Sequence, residues 1–88
     1  MDQRLIDLLC CPVSKVPVAA LATRQLEYIN REIAGGGVRT VAGAAVAGAL
    51  SAGLVTTDGK VVYRVDDGIP VMLPEEGIGT TQFADFPR

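Results

Sequence analysis

Two adjacent sulfurs, Cys10 and Cys11, have the widest chemical repertoire in this sequence, and what they can do is set by what is absent around them. A structural zinc ion takes four ligands in two well-spaced pairs. Here the two thiols are chain neighbours and the sequence holds no histidine, so they cannot wrap one tetrahedral ion and no metal ligand is assigned. Adjacent cysteines also close only a strained ring that staples nothing distant, so both are read as reduced thiols. A nucleophilic cysteine needs a base to take its proton, and without histidine the substitute is Lys15, a weak one. Gly43 and Gly48 have the spacing of a phosphate-binding loop, but Ala49 and Leu50 stand where that loop requires a lysine and a hydroxyl residue. The acid pairs Asp66/Asp67 and Glu75/Glu76 are of the type used for proton transfer or for holding a cation; their setting reads as a turn and a solvated tail. The expectation is a chain with no catalytic residue, no cofactor and no enzymatic activity of its own.

One segment remains once the chemistry is exhausted: Ile69, Pro70, Val71, Met72 and Leu73, apolar, extended and interrupted by proline. Proline has no N–H to give to a sheet, so this segment lies at an edge or leaves the sheet altogether. Two readings stand side by side. Either these side chains complete the core, or part of the segment stays exposed as an edge to which another protein adds a strand or an apolar surface. In the second case Ile69 to Leu73 are the partner-binding residues.

The elements that would position this segment are short. Asp2 can cap a helix with Leu5, Leu8 and Leu9 on one face, ended by Pro12. Residues 13–21, with Pro17, suit an edge strand. From Thr23 to Ala34 the period changes to that of a helix, with Leu26, Ile29 and Ile33 as the apolar stripe, Glu27 and Arg31 spaced to pair, and Gly35, Gly36 and Gly37 at the end. Residues 38–47 fit either a hairpin about Ala42 and Gly43 or a small-residue helix reaching Leu50; a hairpin followed by a helical turn is preferred. Asp58 and Gly59, flanked by β-branched residues, predict a tight hairpin in which Leu54 faces Tyr63. Alternation then puts Leu54, Thr56, Val61, Tyr63 and Val65 on one face, taken as the core face. From Gly77 onward no periodicity remains.

The 88 residues make one domain with a small core. Charge is uneven: residues 66–88 carry one Lys or Arg and five Asp or Glu, whereas the rest is mildly basic. That is no basic stripe of the kind that binds nucleic acid through its phosphates, so no direct nucleic-acid contact is expected. The N-terminal stretch does not read as a signal peptide, and the Ala-rich run from Val41 to Val55 is too short and too glycine-broken to span a membrane. A cytoplasmic protein without a membrane segment is expected.

Residues 8–18, Leu-Leu-Cys-Cys-Pro-Val-Ser-Lys-Val-Pro-Val, and residues 61–76, Val-Val-Tyr-Arg-Val-Asp-Asp-Gly-Ile-Pro-Val-Met-Leu-Pro-Glu-Glu, resemble the small bacterial relatives of the tRNA-methyltransferase activator protein. The resemblance covers roughly residues 1–21 and 54–78. It implies a zinc-ribbon-like domain that serves as the small subunit of methyltransferases acting on tRNA, rRNA or a translation factor. The zinc does not carry over. Where that family has Cys-Pro-x-Cys this chain has Cys11-Pro12-Val13-Ser14, and Thr56 and Gly59 occupy the place of the second pair.

The resulting expectation is an α+β fold: a small antiparallel sheet of three to four strands with an N-terminal helix, zinc-ribbon-like without zinc. Residues 1–78 form the domain, residues 22–53 are an insertion containing a helix, and residues 79–88 are a mobile tail. A structural zinc contributes on the order of 10 kcal/mol to such a module. The insertion, through Leu26, Ile29, Ile33, Val38, Val41, Val46 and Leu50, is expected to supply burial in its place, at roughly 1.5 to 3 kcal/mol for each fully buried side chain. The expected function is a non-catalytic adaptor for a protein partner, a methyltransferase by resemblance, present as a monomer or weak homodimer. A nucleic-acid-binding ribbon and a structural homodimer are the alternatives.

Overall fold

The computed structural model describes residues 9–12, 14–46, 48–83 and 86. The helix expected from Asp2 lies outside them. In chain order the elements are β1 (Val18–Ala20), α1 (Thr23–Ala34), β2 (Ala52–Thr56), β3 (Val61–Asp66), β4 (Ile69–Pro70) and β5 (Ile78–Gly79), with single 3-10 turns over Pro74–Glu76 and Thr80–Gln82. The sheet is antiparallel: β1 pairs with β2, β2 with β3, and β3 with both β4 and β5. The fold is α+β. Among the described residues no helix is long and apolar enough to cross a membrane.

α1 has the bounds that its period predicts. The Gln25 side chain accepts the Ala22 N–H at 2.8 Å, which satisfies one donor at the helix start. At the other end the Gly35 N–H reaches the Arg31 carbonyl at 3.1 Å and the Gly36 N–H reaches that of Ile33 at 2.9 Å. Ile29 and Ile33 are buried. Glu27 and Arg31 form no ion pair: both are exposed, where such a pair adds little.

The β2–β3 hairpin has the expected register, Leu54 opposite Tyr63, but its reversal differs from the two-residue turn predicted at Asp58 and Gly59. The Gly59 N–H donates to the Thr56 carbonyl at 2.7 Å, so Thr57 and Asp58 are the central residues, and Gly59 alone takes a positive φ of 74°. The cause is Thr56. Its hydroxyl donates to Asp58 Oδ1 at 2.6 Å and accepts the N–H groups of Lys60 and Val61, both at 3.1 Å, replacing the last rungs of the backbone ladder. The turn with two positive φ angles comes one hairpin later, at Asp67 (50°) and Gly68 (76°), between β3 and β4.

Both faces of the sheet are covered, which corrects the expectation of one core face. The larger cluster lies on the opposite side from the one predicted: Val55 and Val62 with Ile29 and Ile33 of α1, Val38, Leu50 and Ile78. The predicted face holds a smaller cluster of Val18, Leu54 and Val65, closed by Leu9 and Met72. The run Leu54-Val55 in β2 and the run Val61-Val62-Tyr63 in β3 are what a strand buried on both faces looks like, and alternation does not resolve it.

Residues 38–46 form a hairpin, with Arg39 facing Ala45 and the Val46 N–H on the Val38 carbonyl at 3.0 Å. No helical turn follows it over residues 48–51. Two side-chain amides fasten this segment. Asn30 donates to the Leu50 carbonyl at 2.9 Å and accepts the Leu50 N–H at 2.7 Å. Gln82 does the same for Arg39, at 2.9 and 3.0 Å. Of the residues expected to supply burial here, Ile29, Ile33, Val38 and Leu50 are buried and Leu26 and Val46 are partly so, but Val41 is 64% exposed.

Within the segment expected as a tail, the described residues 79–83 and 86 make specific contacts. Thr80, buried, donates its hydroxyl to the Gly59 carbonyl at 2.5 Å and its N–H to that of Lys60 at 2.8 Å. Phe83 and Phe86 each meet Tyr28 edge-on, with ring centroids at 5.7 and 6.0 Å. These are specific aromatic contacts that a lack of periodicity conceals.

Candidate partner-binding edge

β4 and β5 are two pieces of one interrupted strand along the outer side of β3. Val65 faces Pro70 and Val62 faces Ile78, so three steps along β3 correspond to eight along its neighbour. The surplus chain, residues 71–77, bows out of the sheet through the 3-10 turn at Pro74–Glu76. Proline explains part of this: Pro70 brings no N–H to the ladder, and Pro74 opens the turn.

The structure divides the five predicted residues into two groups. Pro70, Val71 and Met72 are half-buried. The Val71 N–H donates to the Arg64 carbonyl at 2.9 Å, and Met72 packs on the cluster of Val18, Leu54 and Val65. Ile69 and Leu73 face solvent, 67% and 51% exposed. The middle of the segment thus helps complete a core, and its two ends are exposed.

Val41, expected among the buried residues of the insertion, is exposed as well. The tip of the 38–46 hairpin docks on the bowed segment through the Val41 N–H, which donates to the Gly77 carbonyl at 2.7 Å, and the Ala42 N–H, which donates to that of Glu75 at 3.4 Å. The exposed large hydrophobic residues among those described are Val41, Ile69 and Leu73, so all of them belong to, or are bonded to, residues 69–77.

The charges beside this edge are mostly negative. Arg64 is paired with Asp66 at 2.8 Å and with Glu76, which ties β3 to the 3-10 turn. The Glu76 carboxylate first, and Asp66 second, hold the Arg64 guanidinium above its ordinary range. Asp67, in the β3–β4 turn, and Glu75, in the 3-10 turn, have no ion-pair partner among the described residues.

Cys10 is exposed and Cys11 is buried, with its Sγ 3.0 Å from the Tyr63 hydroxyl. Burial first, and this contact second, push the Tyr63 phenol well above the usual tyrosine range. The positions where a ribbon would carry zinc ligands are chemically unsuited to it. Cys11 is engaged with Tyr63, Ser14 accepts the Val16 N–H at 3.4 Å, the Thr56 hydroxyl has its donor and both acceptor sites in use, and Gly59 has no side chain. No group of three or more His, Cys, Asp or Glu side chains able to hold a metal exists among the described residues.

No family model matches the sequence. A protein of Rhodopseudomonas palustris strain BisB18, named "UPF0434 protein", is 33% identical over 76 residues, covering 86% of this chain and 74% of that protein. A protein of the same name from Hydrogenovibrio crunogenus is 32% identical, covering 86% and 73%. The solution NMR structure of XF2673 from Xylella fastidiosa is 42% identical and superposes with a TM-score of 0.80, covering all of this chain, residues 22–53 included, and 91% of that one.

Proposed function

We propose that this chain, which belongs to the UPF0434 family of small bacterial proteins, is a non-catalytic cytoplasmic adaptor whose interrupted edge strand docks on a partner enzyme. The observation that carries the reading is that the exposed large apolar residues among those described, Ile69, Leu73 and Val41, all belong to residues 69–77 or are hydrogen-bonded to them. A small domain leaves such residues in water at a cost, and covering them is what a stable partner does. The resemblance of residues 8–18 and 61–76 to the tRNA-methyltransferase activator family narrows the partner to a methyltransferase acting on tRNA, rRNA or a translation factor. Fold-level kinship carries function poorly on its own, so the surface has to be tested directly.

The test follows from the division of the five residues. A charge at Met72 would strike the smaller core and confound binding with folding, whereas Ile69 and Leu73 are free to be changed. The untagged complex is copurified from a bacterial lysate with the wild-type chain and with an Ile69→Asp, Leu73→Asp variant. The expected result is one defined methyltransferase retained by the wild type and lost by the variant, whose melting temperature stays within a few degrees of wild type. A partner that stays bound to the folded variant refutes the surface. Dimerisation of the wild type in light scattering, abolished by the same two changes, assigns the edge to a second copy instead.

A further inference from the structure

We infer that the partner surface fitting this edge is basic as well as apolar: a strand or loop of a protein in which Lys or Arg side chains flank the apolar residues that cover Ile69 and Leu73. The inference rests on the adaptor reading and adds the chemistry of the partner to it.

From Val61 to Gly79 the chain carries one cation, Arg64, and four carboxylates, Asp66, Asp67, Glu75 and Glu76. Arg64 is already shared between Asp66 and Glu76, so it is not available to answer a partner's acid. The two remaining carboxylates stand at the two ends of the displayed segment, Asp67 two residues before Ile69 and Glu75 two residues after Leu73. Neither has an ion-pair partner among the described residues. The neighbouring hairpin adds a single cation, Arg39, whose guanidinium is turned onto the Gly43 carbonyl at 3.4 Å. Among the described residues the edge is therefore an apolar stripe bracketed by unanswered negative charge.

A partner reaching Ile69 and Leu73 must bring its own charges to within a few ångströms of Asp67 and Glu75. Acidic groups there would be repelled as water leaves the contact. Basic groups gain ion pairs at the rim, which set register and association rate more than affinity. The phosphates of a nucleic acid are excluded on the same ground. Two rim pairs of ordinary strength amount to about fivefold in affinity at low salt, and most of that is screened at high salt.

The probes are two nine-residue peptides of alternating Val and Lys or Val and Glu, titrated into the uniformly 15N-labelled full chain while amide shifts are followed. The Val/Lys peptide is expected to move the amides of residues 67–75. Its Kd should be at least fivefold below that of the Val/Glu peptide in 25 mM NaCl and approach it in 400 mM. The variant Asp67→Asn, Glu75→Gln keeps the turn geometry, since asparagine accepts a positive φ, and it should remove most of the difference. Equal binding of both peptides at residues 67–75, lost in the Ile69→Asp, Leu73→Asp variant, overturns the charge inference and leaves the adaptor edge standing. Failure of both peptides to perturb residues 67–75 overturns the two together.

Discussion

Replacing Asn30 tests whether a side-chain amide, and not apolar packing alone, holds residues 38–53 onto the helix. Asn30 spans twenty residues of sequence to make a two-bond clamp on Leu50, and the side chain of Leu50 lies in the larger core. Asn30→Ala removes both bonds and leaves a partly buried N–H and a partly buried carbonyl without partners. Each costs about 1 to 2 kcal/mol in this partly buried setting, so a loss of about 2 to 4 kcal/mol is expected. For a domain of this size, that is a fall of roughly 10 to 25 °C in melting temperature. Asn30→Asp separates the clamp from packing, because its shape is nearly the same. As a carboxylate it still accepts the Leu50 N–H, but it faces the Leu50 carbonyl with a negative oxygen in place of a donor. The folded state then favours the protonated acid, so the variant's pKa in the fold lies above its unfolded value near 4. Stability is retained below that unfolded value and lost as pH rises through the folded one. Differential scanning calorimetry at pH 4 and pH 7.5, with the wild type as reference, should show Asn30→Asp close to wild type at the lower pH and well below it at the higher. An Asn30→Ala variant that melts within about 2 °C of wild type refutes the clamp. So does an Asn30→Asp deficit that is the same at both pH values.

Three further outcomes follow from the same geometry. Tyr63 is buried and its phenol is held neutral, so its folded pKa lies above the unfolded value near 10; stability should be intact below pH 10 and fall by about 1 kcal/mol per pH unit above it, and urea titrations of wild type and Tyr63→Phe should differ in that slope. Ile29→Ala, fully buried between α1 and the sheet, should cost about 2 to 5 kcal/mol, whereas Val41→Ala at the exposed hairpin tip should cost under about 0.5, as measured by chemical denaturation. Because the positions equivalent to zinc ligands are engaged in hydrogen bonds or lack a side chain, prolonged treatment with a strong chelator should leave the melting temperature unchanged, and a collapse would contradict that assignment.

What the sequence disclosed depended on whether its cause was local. The helix Thr23–Ala34 and the register of Leu54 against Tyr63 were legible because period and turn residues lie within a dozen positions of one another. The edge position of Ile69–Pro70 was legible because proline excludes itself from a sheet interior. The larger core was not, since Leu54-Val55 and Val62-Tyr63 are apolar on both sides of the strand and the choice is made by the distant residues that cover each side. The clamps of Asn30 and Gln82 reach across 20 and 43 residues and leave no local trace. In the candidate edge, five residues were named and two carry the exposure, while Val41 depends on a hairpin tip docking on residues 75–77.

The remaining question is why an edge so well furnished with apolar residues does not simply pair with itself. The other margin of the sheet is closed within the chain: Cys10 faces Pro17 and the Val18 N–H reaches the Leu9 carbonyl at 3.4 Å. Among the described residues the margin at β4 is open, and an open apolar edge invites pairing with identical copies. Three features oppose it. β4 is two residues long, Pro70 withholds a donor, and residues 71–77 carry the chain out of the plane. Charge adds a fourth, because two copies meeting at this edge bring Asp67 and Glu75 toward the same residues of the other copy. The carboxylates that guard the edge against self-association are thus the ones that admit a basic partner, and neutralising them should weaken both protections at once. Asp67→Asn with Glu75→Gln is expected to raise the tendency to self-associate in light scattering at high protein concentration as it lowers affinity for the Val/Lys peptide. If the first change occurred without the second, the charges would serve solubility alone.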